Sequence, residues 1–170
     1  MWTGIIGARF QLVGIFGVVL TAALWFNLYL ADRRAPLITA FGPGDDVFGR
    51  YQDVLDRRSG SVRLIMAMGF GLIGGLNMAG QWQQWVLFRN GGDFGRVDAT
   101  FSEDLGFFVF RLPFLNTVVS WAFAWGIIAL LLTGVAYYLN GCIRPQAPFE
   151  RVTPAAKRHL SLLLVFVVLM

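Results

Sequence analysis

Four carboxylates lie close together between residues 89 and 113, and they are the side chains with the clearest capacity for chemistry. They are Asp93, Asp98, Glu103 and Asp104. Carboxylate oxygens are the ligands that a hard cation such as calcium prefers. Their spacing matches no calcium-binding loop, so we favour a solvated external loop over a metal site and predict no bound metal.

The chain contains one histidine, His159, and one cysteine, Cys142. These single copies exclude a His-pair metal site, a Cys-pair metal site and an intrachain disulfide. His159 stands beside Lys157 and Arg158, so we expect an interfacial residue rather than a ligand. For Cys142, at an expected inner membrane boundary, palmitoylation is one interpretation and a small residue without a special role is the favoured one. Because the sequence has no nucleophile–base pair, P-loop or dinucleotide motif, we predict no catalytic residue, no cofactor and no enzyme activity.

Three polar side chains, Asn77, Gln81 and Gln84, recur at spacings of four and three residues on one side of a predicted helix. They fit either a polar path or hydrogen bonds to a neighbouring helix. We favour a third interpretation, a helix end that faces water. Trp82 and Trp85 stand among these residues, and indole rings prefer the membrane interface.

Gly71, Gly75 and Ala79 form a stripe of small residues at helical spacing. Small residues let two helix backbones approach closely, so we predict that this stripe packs against another helix of the same protein. Two alternatives are a dimer contact and a chance pattern, since glycine is common in membrane helices.

The composition of the chain indicates the class of protein to which these candidate residues belong. Of the 170 residues, 56% are hydrophobic and 14% are charged, and the mean hydropathy is +0.61. Soluble domains carry about 25% charged residues, so the composition excludes an ordinary soluble globule and a disordered chain. The net charge is +4. Because the basic residues flank apolar runs, we attribute this charge to membrane orientation and expect no nucleic-acid partner.

Three runs without a charged residue are long enough to cross a bilayer, which takes about 20 residues. They are residues 10–30, 64–88 and 114–138. A fourth apolar run, residues 160–170, reaches about half of that length. We therefore predict one all-α membrane domain over residues 1–170, a polytopic transmembrane helix bundle with three complete spans and a truncated fourth. The complete spans contain no Asp, Glu, Lys or Arg, which argues against a transport site within them.

Two short amphipathic helices are expected at the membrane surface. In the first, apolar residues recur at helical spacing after Asp45, which fits an N-cap, and Gly60 is the expected helix end. The second is expected to start at Phe101, because Thr100 and Glu103 have the spacing of a capping box.

Arginine and lysine are distributed unequally among the predicted loops. Residues 31–63 contain six and residues 139–159 contain four, whereas residues 89–113 contain three together with four acids. An excess of positive charge marks the cytoplasmic side of a membrane protein. We therefore place 31–63 and 139–159 in the cytoplasm, and the N-terminus and 89–113 outside.

Several blocks of the chain resemble a known family. The longest runs from Gly92-Asp93-Phe94-Gly95-Arg96, through Thr100-Phe101-Ser102-Glu103-Asp104, to Arg111-Leu112-Pro113-Phe114. The other blocks are Arg50-Tyr51, Gly80-Gln81-Trp82, Tyr138-Leu139-Asn140-Gly141-Cys142-Ile143-Arg144, Val152-Thr153 and His159-Leu160-Ser161. These blocks resemble the uncharacterised protein family 0182 of large bacterial multi-pass membrane proteins, and the resemblance extends over nearly the whole chain.

The resemblance implies a plasma-membrane protein that is much longer than this chain, with several N-terminal spans followed by a large extracytoplasmic region. It implies that this chain is an internal fragment of the N-terminal membrane region. The implied partners are the lipid bilayer, the missing helices and the extracytoplasmic region of the parent protein. The resemblance assigns no catalytic residue.

Three functional hypotheses follow. The first is a membrane anchor and interaction module whose external loop contacts the extracytoplasmic region or a protein partner. The candidate contact residues are Asp93, Asp98, Glu103, Asp104, Phe107 and Phe108. The second hypothesis is part of a transporter or lipid-handling protein. The third, a membrane enzyme, ranks last because no catalytic constellation is visible, and the lack of charge within the spans favours the first over the second.

Overall fold

The computed structural model describes residues 2–34, 46–143 and 152–170, and side chains over residues 4–33, 60–143 and 152–170. The N-cap expected at Asp45 and the amphipathic side chains of residues 46–59 lie outside these parts. The described chain is helical and contains no β-strand. This confirms the predicted all-α class.

Five α-helices follow one another along the described chain. They are α1 (Trp2–Arg34), α2 (Asp46–Ala79), α3 (Trp82–Asn90), α4 (Leu112–Leu139) and α5 (Pro154–Leu169). A π-helical turn, Phe107–Arg111, leads directly into α4. Within the residues that the structure describes, three segments are long and apolar enough to cross a membrane, namely Gly4–Arg33, Gly60–Ala79 and Phe107–Leu139.

Two helix boundaries differ from the expected ones. Helix α2 passes through Gly60 without a break, so the prediction of a helix end at this glycine is wrong. A glycine inside a helix costs only about 1 kcal/mol, and packing of the following residues against α1 offsets that cost. The helical chain before α4 starts at Leu105 rather than at Phe101. The reason is that the carboxylate of Asp104, not the side chain of Thr100, accepts the amide hydrogen bond at this end.

Helices α1 and α2 run antiparallel and pack along most of the length of α1. Near the start of α1, Leu12 packs with Met78 from the end of α2. In the middle of α1, Leu24 packs with Ala67 from an earlier turn of α2. The order of these contacts along the two helices fixes their opposite directions.

Helix α4 runs parallel to α1, and α5 covers the far end of both. Phe114 at the start of α4 lies in the same buried cluster as Leu12. At the other end, Tyr137 of α4 packs with Ala31 of α1 and Ala156 of α5. Helix α1 is therefore the central helix of the bundle, with a different buried cluster at each level.

The outward faces of these helices are strongly apolar. Large apolar side chains that are well over half exposed occur on α1, α2, α4 and α5, for example Phe10, Val18, Ile65, Leu131 and Val168. Soluble monomers rarely expose large contiguous apolar surfaces. These faces therefore require a cover of lipid or of further protein.

Candidate interaction surface

Residues 91–106, between α3 and the π-helical turn, form a folded loop that closes on itself. An antiparallel bridge joins Val97 to Asp104. A Cβ atom added to Gly106 would stand 2.5 Å from the carbonyl oxygen of Gly92. Because a side chain at position 106 would collide with the start of the loop, glycine there permits the close return.

Asp98 holds the tip of this loop. Its Oδ1 atom accepts hydrogen bonds from the backbone amides of Thr100, at 2.8 Å, and Phe101, at 3.0 Å. This is the usual way in which aspartate stabilises a turn. The next residue, Ser102, has a left-handed backbone with φ of 57° and donates its amide to the carbonyl oxygen of Asp98. The Asp98 carboxylate is thus engaged by the loop's own backbone.

Asp104 ties the two ends of the loop together. Its Oδ1 atom accepts the backbone amide of Phe94 at 2.8 Å and that of Gly106 at 2.7 Å. The hydrogen bond from Phe94 is the largest cause that lowers the pKa of the Asp104 carboxyl, and the bond from Gly106 lowers it further. Both bonds favour the ionised form, so the charged Asp104 carboxylate links the two ends of the loop.

Several aromatic rings lie on the surface of the loop that the hydrogen bonds of Asp98 and Asp104 hold in shape. Phe94 stacks on Phe110 with ring centroids 5.5 Å apart, and Phe101 lies 6.0 Å from Phe108. Phe101 is nevertheless 70% exposed. Aromatic side chains are enriched at interfaces between proteins, so an exposed ring on a fixed loop marks a candidate contact surface.

An open groove of about 770 Å³ lies between the loop and the helical residues that precede α4. Its lining is mainly apolar, so it suits an apolar side chain better than a charged substrate. The groove is lined by Phe94, Arg96, Asp98, Phe101, Leu105, Phe108 and Val109.

The structure divides the six predicted contact residues into groups with different surroundings. Asp93 and Glu103 have exposed side chains, whereas Asp98 and Asp104 accept hydrogen bonds from the loop backbone. Phe107 and Phe108 are half-buried and meet edge to face with centroids 5.4 Å apart. Within the described ranges, no three His, Cys, Asp or Glu side chains are placed together to hold a metal ion.

The two most exposed rings of this surface, Phe94 and Phe101, are missing from the sequence-based candidates. Both are more than half exposed. A signal was available for Phe101, because it stands inside a polar turn sequence between Asp98 and Glu103. A turn has no interior in which an aromatic ring can be buried.

The stripe of small residues on α2 lies against the backbone of α1. A Cβ atom added to Gly75 would stand 2.7 Å from the carbonyl oxygen of Val13 and 3.1 Å from the Cα atom of Gly17. A Cβ atom added to Gly71 would stand 2.8 Å from the carbonyl oxygen of Gly17. Ala79, at the end of the stripe, is half-buried. The two backbones are thus in close contact at Gly71 and Gly75.

The three polar residues Asn77, Gln81 and Gln84 lie where α2 gives way to α3. Gln84 accepts a hydrogen bond of 2.6 Å from the hydroxyl of Thr117 on α4. Asn77 is exposed and Gln81 is half-buried in the turn between the two helices. In this arrangement Gln84 joins two helices, while Asn77 points away from the core.

His159 and Cys142 lie in the interior, at the end of the bundle opposite the folded loop. The Nδ1 atom of His159 is 2.9 Å from the hydroxyl of Tyr137, and the residue is 5% exposed. Cys142 is buried in the cluster that contains Ala31 and Tyr137. The sequence pattern gave no sign of this burial, because both residues stand next to polar segments.

Comparison with known proteins gives a consistent result. A family profile with the description "Uncharacterised protein family (UPF0182)" matches residues 1–170. The chain is 35% identical over 170 residues to a UPF0182 protein of Salinispora arenicola. This alignment covers 100% of this chain and 17% of the relative. It is 35% identical over 164 residues to one of Frankia casuarinae, covering 96% of this chain and 16% of the relative.

A third relative extends the comparison to another bacterial genus. The chain is 34% identical over 170 residues to a UPF0182 protein of Streptomyces coelicolor, covering 99% of this chain and 16% of the relative. The chain therefore spans about one sixth of the length of these relatives. No solved structure matches it significantly.

Proposed function

From the premise that the chain belongs to the uncharacterised protein family UPF0182, we propose that it is a membrane domain that anchors and positions a longer protein in the bacterial plasma membrane. Its folded loop, residues 91–106, contacts the extracytoplasmic region of that protein or a protein partner. The N-terminus and this loop lie outside, and residues 31–63 and 139–159 lie in the cytoplasm.

The different charges at the two ends of the bundle support this orientation. At one end, Arg63 pairs with Asp32 at 3.0 Å, and Lys157 and Arg158 are exposed. At the other end, the folded loop exposes acidic side chains such as Asp93. Because basic residues accumulate on the cytoplasmic side of membrane proteins, the end with Arg63 and Lys157 is assigned to the cytoplasm.

The observation that best supports the proposed interaction role is that two carboxylates of the loop bind the loop's own backbone. Asp98 and Asp104 accept four backbone hydrogen bonds between them. They hold the loop in one shape while Phe101 remains exposed. A surface that is already ordered loses less conformational entropy when it binds.

Photo-cross-linking in native membranes tests this proposal. A benzoylphenylalanine residue at position 101 of the full-length protein replaces one exposed ring by another. We expect irradiation to link it to a polypeptide, either the extracytoplasmic region of the same protein or a separate partner, which mass spectrometry identifies.

The matched control places the same reactive residue at position 131, in the middle of α4. Leu131 is also well exposed, but it lies on the apolar outer face of the helix. We expect position 131 to react with lipid or with neighbouring helices and not with the polypeptide captured at position 101. Identical products at the two positions, or no polypeptide product at position 101, would contradict the interaction role.

A buried line of polar side chains favours a second candidate, transport or lipid handling. The hydroxyl of Thr133 on α4 lies 3.2 Å from Oδ1 of Asn27 on α1, and both residues are buried. One turn further along α4, Tyr137 meets His159. Substrate flux through the reconstituted full-length protein that is abolished by Asn27→Leu would favour this candidate over the anchor role.

A further inference from the structure

Helix α5 is held in one rotational orientation by its buried face. Ala156, His159 and Val167 are its buried residues, and His159 meets the hydroxyl of Tyr137 at 2.9 Å. A Cβ atom added to Gly126 of α4 would stand 3.0 Å from Cγ2 of Val167, so glycine makes room for that side chain. Because these contacts fix the helix, the opposite face of α5 must point away from the described bundle.

A shallow, open depression of about 590 Å³, referred to below as the groove, lies between exposed side chains on that opposite face. Its lining residues are Pro154, Lys157, Arg158, Ser161, Leu162 and Val165. The lining changes from two cations to a hydroxyl and then to apolar side chains over about 12 Å, at a rise of about 1.5 Å per residue. A glycerophospholipid presents its phosphate, its ester-bearing glycerol and its acyl chains in the same order.

The cationic end of the groove lies at the level where the bundle changes from apolar to charged. Ala156, directly before Lys157, packs with Ala31 near the end of α1. The ion pair of Arg63 with Asp32 lies at the same end of the bundle. In the proposed orientation this is the cytoplasmic membrane boundary, and Val165 lies two helical turns deeper, among lipid chains.

We infer that the groove on α5 binds one anionic glycerophospholipid of the cytoplasmic leaflet. Its phosphate lies between Lys157 and Arg158, and an acyl chain lies on Leu162 and Val165. This inference rests on the membrane location and orientation given under the proposed function. Charge complementarity selects the occupant, because the described residues that line the groove include two cations and no carboxylate. An apolar helix in the same place would leave both cations without a counter-charge.

Native mass spectrometry of the full-length protein in a mild detergent tests the headgroup contact. Phosphatidylglycerol and phosphatidylcholine are titrated separately, and the bound lipid molecules are counted. We expect one phosphatidylglycerol to be retained in preference to phosphatidylcholine. The double variant Lys157→Gln with Arg158→Gln should weaken that binding roughly tenfold or more, because both phosphate contacts are lost.

Two matched controls separate this site from general charge and polarity effects. The double variant Arg89→Gln with Arg111→Gln removes the same charge from the other end of the bundle and should leave the retained phosphatidylglycerol in place. Within α5, Leu162→Gln should weaken binding severalfold because it lies in the groove. Leu164→Gln should not, because Leu164 is also exposed but lies outside the groove lining.

Three results would overturn the inference. The first is equal retention of phosphatidylglycerol and phosphatidylcholine. The second is phosphatidylglycerol binding that is unchanged in the double variant of Lys157 and Arg158. The third is displacement of the bound lipid by glycerol 3-phosphate as effectively as by added phosphatidylglycerol. A wrong orientation of the chain in the membrane would give a different experimental result from a wrong lipid site. In that case a cysteine at position 157 would be labelled from outside the cell, whereas the lipid counts in detergent would still respond to the variants.

Discussion

At the scale of single residues, Asp104 joins the two ends of the folded loop. Its carboxylate accepts the amides of Phe94 and Gly106 from the two ends of the loop. The bond from Phe94 is the main cause that lowers its pKa from 3.8. A carboxyl with a lower pKa in the folded state stabilises that state fully above its unfolded pKa. This stabilisation is lost as the pH falls through the folded value.

We therefore expect Asp104→Asn to loosen the loop at neutral pH and to abolish its acid-dependent loosening. Amide hydrogen exchange at Phe94 and Gly106, corrected for intrinsic rates, measures this effect. In the wild type, protection should be present at pH 7 and should fall as the pH drops below 3.8, the ordinary value for this carboxyl. In the variant, protection should be low at both pH values.

Asp93→Asn is the control for Asp104→Asn, because it removes the same charge from an exposed side chain of the same loop. We expect wild-type protection at Phe94 and Gly106 in this control. Protection that is unchanged in Asp104→Asn, or equally reduced in the two variants, would show that the Asp104 carboxylate does not hold the loop.

The sequence identified this loop and its acids, but not what each acid does. Whether a carboxylate faces solvent or its own backbone depends on how the loop closes. That closure is set by contacts between distant residues, such as Gly106 against Gly92 and Phe94 against Phe110. Residue types and local spacing do not contain this information.

At the scale of elements, the contact between α1 and α2 depends on glycines that allow the backbones to touch. We expect Gly75→Ala to lower the stability of the protein by about 1–3 kcal/mol, the usual cost of overpacking. The added methyl group would press on the carbonyl oxygen of Val13, a backbone atom that cannot rotate away. Thermal denaturation of the full-length protein in detergent measures the change.

Gly69→Ala is the matched control on the same helix. A Cβ atom at this position would meet nothing within 4 Å. The control therefore adds the same methyl group without a clash and should leave the denaturation temperature unchanged or slightly higher, because alanine favours a helix over glycine by up to about 1 kcal/mol. If Gly75→Ala were as stable as Gly69→Ala, the close packing of α1 and α2 at Gly75 would be refuted.

Helix type was predictable from the sequence because long charge-free runs favour helices, whereas helix ends were not. Gly60 lies inside α2 although its residue type suggests a stop. The helix before α4 starts only after Phe101, because Asp104 provides the cap. Each end depends on which competing partner binds the free backbone groups, and the fold as a whole decides that competition.

At the scale of the whole molecule, apolar outer faces and charged ends have to be explained together. Helices α1 and α4 carry exposed apolar side chains along their length, and the basic groups at one end include Arg63 and Lys157. A bilayer satisfies both features, because its core covers apolar faces and its cytoplasmic surface retains basic residues. The same arrangement in water would leave a large apolar surface exposed.

Cysteine labelling in intact cells tests the orientation of the whole molecule. The starting variant is Cys142→Ala, since Cys142 is buried and the only cysteine of the chain. We expect Asp93→Cys in this background to react with a membrane-impermeant maleimide in intact cells. Lys157→Cys should react only after the membrane is permeabilised, because the two positions lie at opposite ends of the bundle.

Three labelling patterns in intact cells distinguish the alternatives. Labelling of both positions in intact cells would mean that the chain does not separate two compartments, and the membrane-domain proposal would fall. Labelling of Lys157→Cys alone would keep the membrane but invert the orientation, contrary to the positive-inside rule. Only labelling of Asp93→Cys alone agrees with an external interaction loop and a lipid groove in the cytoplasmic leaflet.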